Sequence, residues 1–340
     1  MAVYAFVEIT YELSSLIARQ AGVVTRHQAL TAGVSPAALR HAIGPLGPWQ
    51  RIIPGVYSTF TGPLHDDHRL HAAMLHAGRD AALTGAPACK RYGMTYMPSI
   101  DSIEILVPQS VIRRPPSFAR YIRTSAMPAA RTIRGVRVVR PERAALDASR
   151  SADGLAAKRA VLCEVVQRGL ATAERLAAEL RRIDRRGMAA ARRVVADIMA
   201  GCRSAPECEL RDLLSTSHVL AEAVWNQPLP DALDIVPDAH IAELRLVLEV
   251  DSMEHHQFGD APERTERRRA RLASLGWRVY PVSPRRLREE PAAVLAEIEA
   301  AARANAGGGR GAREAGGWRA GGGARRTSGE AWQGCVGAAS

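Results

Sequence analysis

Lysine is almost absent from this sequence. Only Lys90 and Lys158 occur, so nearly all of the 46 basic side chains are arginines, against 35 acidic side chains in 340 residues. The resulting formal net charge of +11 favours binding to a polyanion such as nucleic acid. The preference for arginine also accompanies abundant Ala and Gly, which is typical of GC-rich coding and by itself carries little functional information.

Cysteine and long apolar runs are also scarce. The five cysteines, at positions 89, 163, 202, 208 and 335, form no C-x-x-C pair, which argues against a disulfide framework or a zinc site and indicates a reducing compartment. No run approaches the ~20 apolar residues of a membrane span. Residues 1–9 lack the basic start of a secretory signal. We therefore expect a cytoplasmic protein that does not enter a membrane.

The length of the chain allows two or three domains, and composition divides it further. The last 38 residues contain twelve glycines and no apolar period, which predicts disorder. We predict an α+β multidomain chain with these segments: a winged helix-turn-helix domain at 1–61, a mixed α/β domain at 62–150, a helical connector at 151–203, a nuclease-like α/β/α domain at 204–302 and a disordered Gly/Arg-rich tail at 303–340.

Three short helices and a hairpin are predicted in the first sixty residues. Thr25 and Gln28 have the spacing of a capping box, and Ser35 precedes Pro36 as an N-cap precedes the first helical turn. Two helices joined by a glycine turn are typical of a helix-turn-helix unit. Two β-rich runs, at 49–53 and 55–58, suit a small β-wing.

The second helix of a helix-turn-helix enters the DNA major groove. On its exposed face we predict Ser35, Arg40 and His41 as DNA-binding residues, with Arg51 of the wing reaching the phosphate backbone. The alternative is a three-helix packing module that touches no DNA.

Residues 10–200 resemble the AbiEi-type antitoxin family. The most specific matching residues are Trp49-Gln50-Arg51 and Pro54-Gly55-Val56-Tyr57, followed by Leu83-Thr84-Gly85 and residues 140–147 (RPERAALD). The resemblance implies a transcriptional regulator that binds double-stranded DNA and, in many members of the family, neutralises a nucleotidyltransferase-like toxin.

A carboxylate cluster is predicted near the strand at 244–250, which follows another predicted strand at 233–236. Glu249 and Asp251 alternate onto one face of the strand, and Asp238 precedes it. We predict Asp238 and Glu249 as ligands of Mg²⁺, because this ion takes carboxylate oxygens. Asp251 would support the metal or its water, His256 would act as acid or base, and Glu207 would orient the cluster. The alternative is a strand end whose acids face solvent or pair with arginines.

A basic helix is predicted at 262–275. One face by helical spacing carries Arg264, Arg267, Arg268 and Arg271, and near a metal site this face would bind DNA phosphates. A solvated helix face is the alternative reading.

Residues 204–300 resemble the PD-(D/E)XK nuclease superfamily, in particular its very-short-patch-repair-like branch. The matching residues include Ser204-x-x-Glu207, Pro237-Asp238, residues 248–252 (LEVDS) and His256. Asp251 stands where the superfamily motif has a lysine, and the resemblance implies that His256 substitutes for it. We therefore expect a DNA-binding regulator with a nuclease-fold domain; the alternative is a Mg²⁺-dependent DNA endonuclease that the winged helix targets.

Overall fold

The computed structural model describes residues 10–98, 102–250 and 261–314, with only the backbone described at 261–265 and 305–314. These residues form thirteen α-helices and twelve strands in three sheets. The mixed α+β class expected from the sequence is confirmed at this level. None of the described helices combines the length and hydropathy that crossing a bilayer requires.

The N-terminal unit contains three helices and a three-stranded antiparallel sheet in the order β1-β3-β2. Its elements are α1 (Tyr11–Arg19), β1 (Val23–Thr25), α2 (Arg26–Thr31), α3 (Pro36–Ala42), β2 (Gln50–Ile53) and β3 (Val56–Ser58). The helices pack around a small core that includes Leu13, Leu39, Trp49 and Tyr57. Strand β1 was not predicted, because its three residues are too few to show an alternating pattern.

Both predicted helix starts in this unit are confirmed. The Oγ1 atom of Thr25 accepts a hydrogen bond from the Gln28 N–H, and Oε1 of Gln28 accepts one from the Thr25 N–H at 2.9 Å, which is the reciprocal capping box. The hydroxyl of Ser35 accepts from the Ala38 N–H and caps α3.

The middle of the chain forms a five-stranded sheet in the order β6-β5-β4-β8-β7. Its elements are α4 (Asp66–Ala77), β4 (Ala82–Leu83), α5 (Gly85–Arg91), β5 (Ile103–Pro108), β6 (Ala119–Thr124), β7 (Ala130–Ile133), β8 (Val136–Val139) and α6 (Pro141–Ser151). Strands β6 and β7 lie at the sheet edges and carry exposed arginines, so they lack a continuous apolar signal.

Three helices then follow, α7 (Gly154–Gln167), α8 (Ala173–Arg182) and α9 (Ala189–Met199). The breaks between them lie near Gly169 and Gly187; both glycines have positive φ angles, which favour glycine at helix ends.

The C-terminal sheet has four strands in the order β12-β11-β10-β9. Its elements are α10 (Ala205–Leu214), β9 (Val224–Trp225), β10 (Ala239–Ile241), β11 (Leu246–Val250), α11 (Ala261–Ser274), β12 (Arg278–Val282), α12 (Pro284–Glu289) and α13 (Pro291–Glu314). Strands β11 and β12 are parallel, and β10 runs antiparallel to both of its neighbours.

Two expectations for this region are wrong. The predicted strand at 233–236 is irregular chain: Leu233 is 75 % exposed, and the neighbouring Ile235 alone is buried, beneath α11. Helix α13 runs to Glu314 and so continues past residue 303, where the disordered tail was predicted to begin. Residues 315–340 lie outside the described residues.

Candidate nucleic-acid interface and carboxylate site

The predicted DNA-binding residues of the N-terminal unit are exposed. Arg40 and His41 lie in the last turn of α3, on the side opposite the buried Leu39 and Ala42, and Arg51 is exposed on β2. Ser35 is also exposed, but its hydroxyl already caps α3. A ligand could therefore bind only the remaining lone pair or the proton of the Ser35 hydroxyl.

The β2–β3 hairpin is tied to the helices. The N–H of Arg26, the first residue of α2, donates to the carbonyl of Gly55 at the hairpin turn over 2.8 Å. Gly55 has a φ of +79°, which a residue with a side chain rarely adopts. The hairpin that carries Arg51 is therefore held against the start of α2.

One electrostatic feature of this unit was missed in the sequence. Between Glu12 and Asp66 there is no acidic residue, while four arginines occur. No carboxylate within this stretch neutralises the exposed arginines. A count of acidic residues along the chain would have revealed it.

In the C-terminal unit, Glu207 lies on α10 and is 6 % exposed. Its Oε2 atom accepts hydrogen bonds from the Arg203 N–H at 2.8 Å and from Nδ2 of Asn226 at 2.6 Å. Burial raises the pKa of Glu207, and the nearby charge of Asp238 raises it further. Glu207 and Asp238 are thus close enough to interact.

Asp238 directly precedes β10, and Glu249 lies on the neighbouring strand β11. Ala239 of β10 pairs with Leu248 of β11, so the antiparallel register places Asp238 across from Glu249. The Oδ2 atom of Asp238 accepts a hydrogen bond from the Val250 N–H at 2.7 Å. The structure therefore brings together three of the five predicted catalytic residues, since Glu207 also interacts with Asp238.

Two arginines of α11 are paired with carboxylates. Nη2 of Arg268 lies 2.8 Å from Oε1 of Glu249, and Arg271 forms a two-pronged ion pair with Asp234. The contact between Arg268 and Glu249 matches the alternative in which an acid at this strand end pairs with an arginine.

Three other predicted site residues have no described side chain. Asp251 and His256 lie outside the described residues, and Arg264 belongs to α11 without a described side chain. Within the described part of the chain, no group of three His, Cys, Asp or Glu side chains is arranged to hold a metal ion. The donors present do suit Mg²⁺ chemically, because this ion is often held by one or two carboxylates together with substrate phosphates.

Asn226 was missed as a member of this site. It follows β9 with a φ of +49°, its N–H donates to the Asp238 carbonyl at 3.0 Å, and its side chain donates to Glu207 and to the Gly201 carbonyl. Asparagine tolerates this left-handed conformation better than most residues. Asn226 thereby links α10 to the segment that carries Asp238.

Comparison with solved structures finds a weak likeness. No family model and no curated protein matches the chain. Among solved structures, the crystal structure of the RV2827C protein from Mycobacterium tuberculosis is 18 % identical, covers 55 % of this chain and 75 % of its own, and has a TM-score of 0.36. A likeness at this level carries no argument about fold or function.

Proposed function

We propose that this chain is a DNA-binding regulator that docks on double-stranded DNA through an N-terminal winged helix. The observation that carries the proposal is the order α1-β1-α2-α3-β2-β3, closed by a three-stranded sheet, in a stretch with exposed arginines and no acidic residue between Glu12 and Asp66. A phosphate backbone attracts such a surface because no carboxylate in this stretch competes for its cations.

In this proposal α3 lies in the major groove. Arg40 contacts a guanine edge or a phosphate, and Arg51 contacts the backbone beside the groove. Resemblance to AbiEi-type antitoxins adds a nucleotidyltransferase-like toxin as a proposed protein partner. The regulator role needs only the DNA contact and does not depend on that partner.

The DNA contact is tested by replacing Arg40 and Arg51 together with alanine. We expect affinity for duplex DNA to fall about tenfold, and the slope of log affinity against log salt to decrease by about one to two, because phosphate contacts are lost. Fluorescence anisotropy over a salt series measures both quantities.

The matched control replaces Arg181 and Arg182, two exposed arginines at the end of α8, with alanine. This double variant loses the same net charge elsewhere on the molecule and should bind as the wild type does. Equal weakening in both double variants would show that only net charge matters, and the winged-helix interface would be rejected.

A DNA endonuclease is the second candidate function. The specific observation in its favour is the element order α10-β9-β10-β11-α11-β12, with Asp238 across from Glu249 and Glu207 beside them. Asp238 and Glu249 would hold Mg²⁺, which when bound supplies an activated water and charge stabilisation to phosphodiester hydrolysis. Asn226, which donates hydrogen bonds to buried Glu207 and to the Asp238 carbonyl, would keep Asp238 in place beside Glu207.

Cleavage assays decide this second candidate. Intact, nicked and mismatched duplexes are incubated with Mg²⁺ or Mn²⁺ and wild-type protein, Glu249→Ala or the control Glu243→Ala, whose residue is exposed in the turn before β11. A nuclease predicts cleavage that persists in Glu243→Ala and disappears in Glu249→Ala. If the wild type cleaves no substrate, the regulator remains as the function of the chain.

A further inference from the structure

An arginine-lined cleft lies beside the carboxylate site. It has a volume of about 290 Å³ and is lined by Asp234, Ile235, Arg267, Arg268 and Arg271. The three arginines come from little more than one turn of α11, and the other two residues come from the irregular chain before β10. A water occupies about 30 Å³ in the liquid, so this volume has room for a phosphate group.

The lining is electropositive. Three guanidinium groups face a single lining carboxylate, Asp234, and both oxygens of that carboxylate are already paired with Arg271. Guanidinium groups match the geometry of phosphate oxygens and bind them through paired hydrogen bonds. The cleft therefore suits an anion better than a cation or a neutral ligand.

Arg268 combines two hydrogen bonds with one unsatisfied nitrogen. Its Nη2 atom donates to Oε1 of Glu249 at 2.8 Å and to the Val236 carbonyl at 2.9 Å. Its Nε atom is shielded from solvent and has no hydrogen-bond partner among the described residues. A shielded donor without an acceptor is unfavourable, and it gains when an acceptor arrives.

We propose that this cleft binds a phosphate group and that Arg268 exchanges Glu249 for a phosphate oxygen when it does. The inference rests on the proposed DNA-binding function, because the phosphate is assigned to the backbone of the bound DNA.

The exchange predicts opposite effects for the two partners of the ion pair. Arg268→Ala should weaken binding of inorganic phosphate at least tenfold, because the exchanging guanidinium is gone. Glu249→Gln should strengthen it about threefold, because a competing negative charge is removed. Calorimetric titration of the full-length chain with phosphate at constant ionic strength measures both.

Two further variants serve as comparisons in the phosphate titration. Arg269→Ala removes an exposed arginine from the same helix but outside the cleft, and it should bind phosphate as the wild type does. Arg268→Lys keeps the charge without the fork, so its affinity should lie between those of the wild type and Arg268→Ala. Equal phosphate binding by Arg268→Ala and Arg269→Ala, or weaker binding by Glu249→Gln, overturns the proposal.

The source of the phosphate is settled by competition. The titrations are repeated with the Arg40→Ala and Arg51→Ala replacements present, so that a failure of the winged-helix interface does not affect the measurement. A short DNA duplex should displace inorganic phosphate from the cleft. Phosphate binding that is lost in Arg268→Ala but resists the duplex would identify free phosphate as the ligand and overturn the assignment to DNA.

Discussion

His240 shows how a single residue in the C-terminal sheet depends on its surroundings. It lies in β10 and is 3 % exposed, with its ring edge-on to Trp277 at a centroid distance of 5.9 Å. Its Nδ1 atom has no hydrogen-bond partner among the described residues. Burial lowers the pKa of His240, because the charged imidazolium loses its hydration.

This burial makes stability depend on pH in a defined direction. In the unfolded chain His240 takes up a proton near pH 6.5, whereas in the folded chain it remains neutral to lower pH. The unfolded state therefore binds more protons below about pH 6.5, and stability falls as the pH decreases through that value. Burial lowers the pKa of His71 and His76 as well, so they contribute in the same direction.

We predict that His240→Phe reduces this pH dependence. The free energy of unfolding lost between pH 8 and pH 5.5 should be smaller than in the wild type by up to about 1.4 kcal/mol, because one fewer proton is taken up on unfolding. Urea denaturation at the two pH values measures the difference. An unchanged pH dependence in His240→Phe would show that His240 is protonated equally in both states.

Gly85 gives a physical reason for one short motif of the sequence. It has a φ of +63°, and a Cβ atom built there would lie 1.8 Å from Oε2 of Glu104, which is fully buried. Two constraints therefore require glycine at this position: the positive φ angle and the closeness of the Glu104 side chain. The Leu83-Thr84-Gly85 motif could be recognised in the sequence, but the contact between Gly85 and Glu104 could not.

Among the helices, α2 depends strongly on its cap. It has only six residues, and a helix this short gains little from its own backbone hydrogen bonds. The capping box between Thr25 and Gln28 satisfies two N–H groups at its start. Since α2 precedes α3 by a single turn, its cap also affects the orientation of the proposed DNA-binding helix.

We predict that Thr25→Ala destabilises the N-terminal unit by about 1 kcal/mol, the typical cost of losing an N-cap side chain. Amide hydrogen exchange within residues 10–58 should become faster, and affinity for duplex DNA should fall. Thr31→Ala is the matched control, because Thr31 is an exposed residue of the same helix with no capping role. Equal exchange rates in both variants would contradict the role of the cap.

At the scale of the whole molecule, the buried apolar residues form clusters of unequal size. The N-terminal unit has its own cluster around Leu13 and Trp49. In contrast, one continuous cluster runs from Leu83 of the middle sheet through Leu162 of α7 to Ile298 of α13. The predicted borders at 150 and 203 fall within this cluster and stay predictions. Side chains on both sides of each predicted border therefore pack together in this cluster.

The sequence by itself determined the features that depend on neighbours a few residues apart. The start of α3 at Ser35 and Pro36, the cap of α2 and the breaks between α7, α8 and α9 all follow from local hydrogen bonding and backbone preference. The apolar run of β11 was found in the same way, since the consecutive buried residues Leu246, Val247 and Leu248 form a recognisable signal. Net charge is a property of composition alone, so it too needed no structure.

Only the tertiary structure decided which distant side chains meet. Asp238 lies across from Glu249 because β10 and β11 pair in one register, and Arg268 reaches Glu249 because α11 packs beside that sheet. The segment at 233–236 has an apolar composition but forms no strand, since α11 covers only Ile235 and leaves Leu233 in solvent. Contacts between residues far apart in the chain depend on packing, which local sequence patterns do not encode.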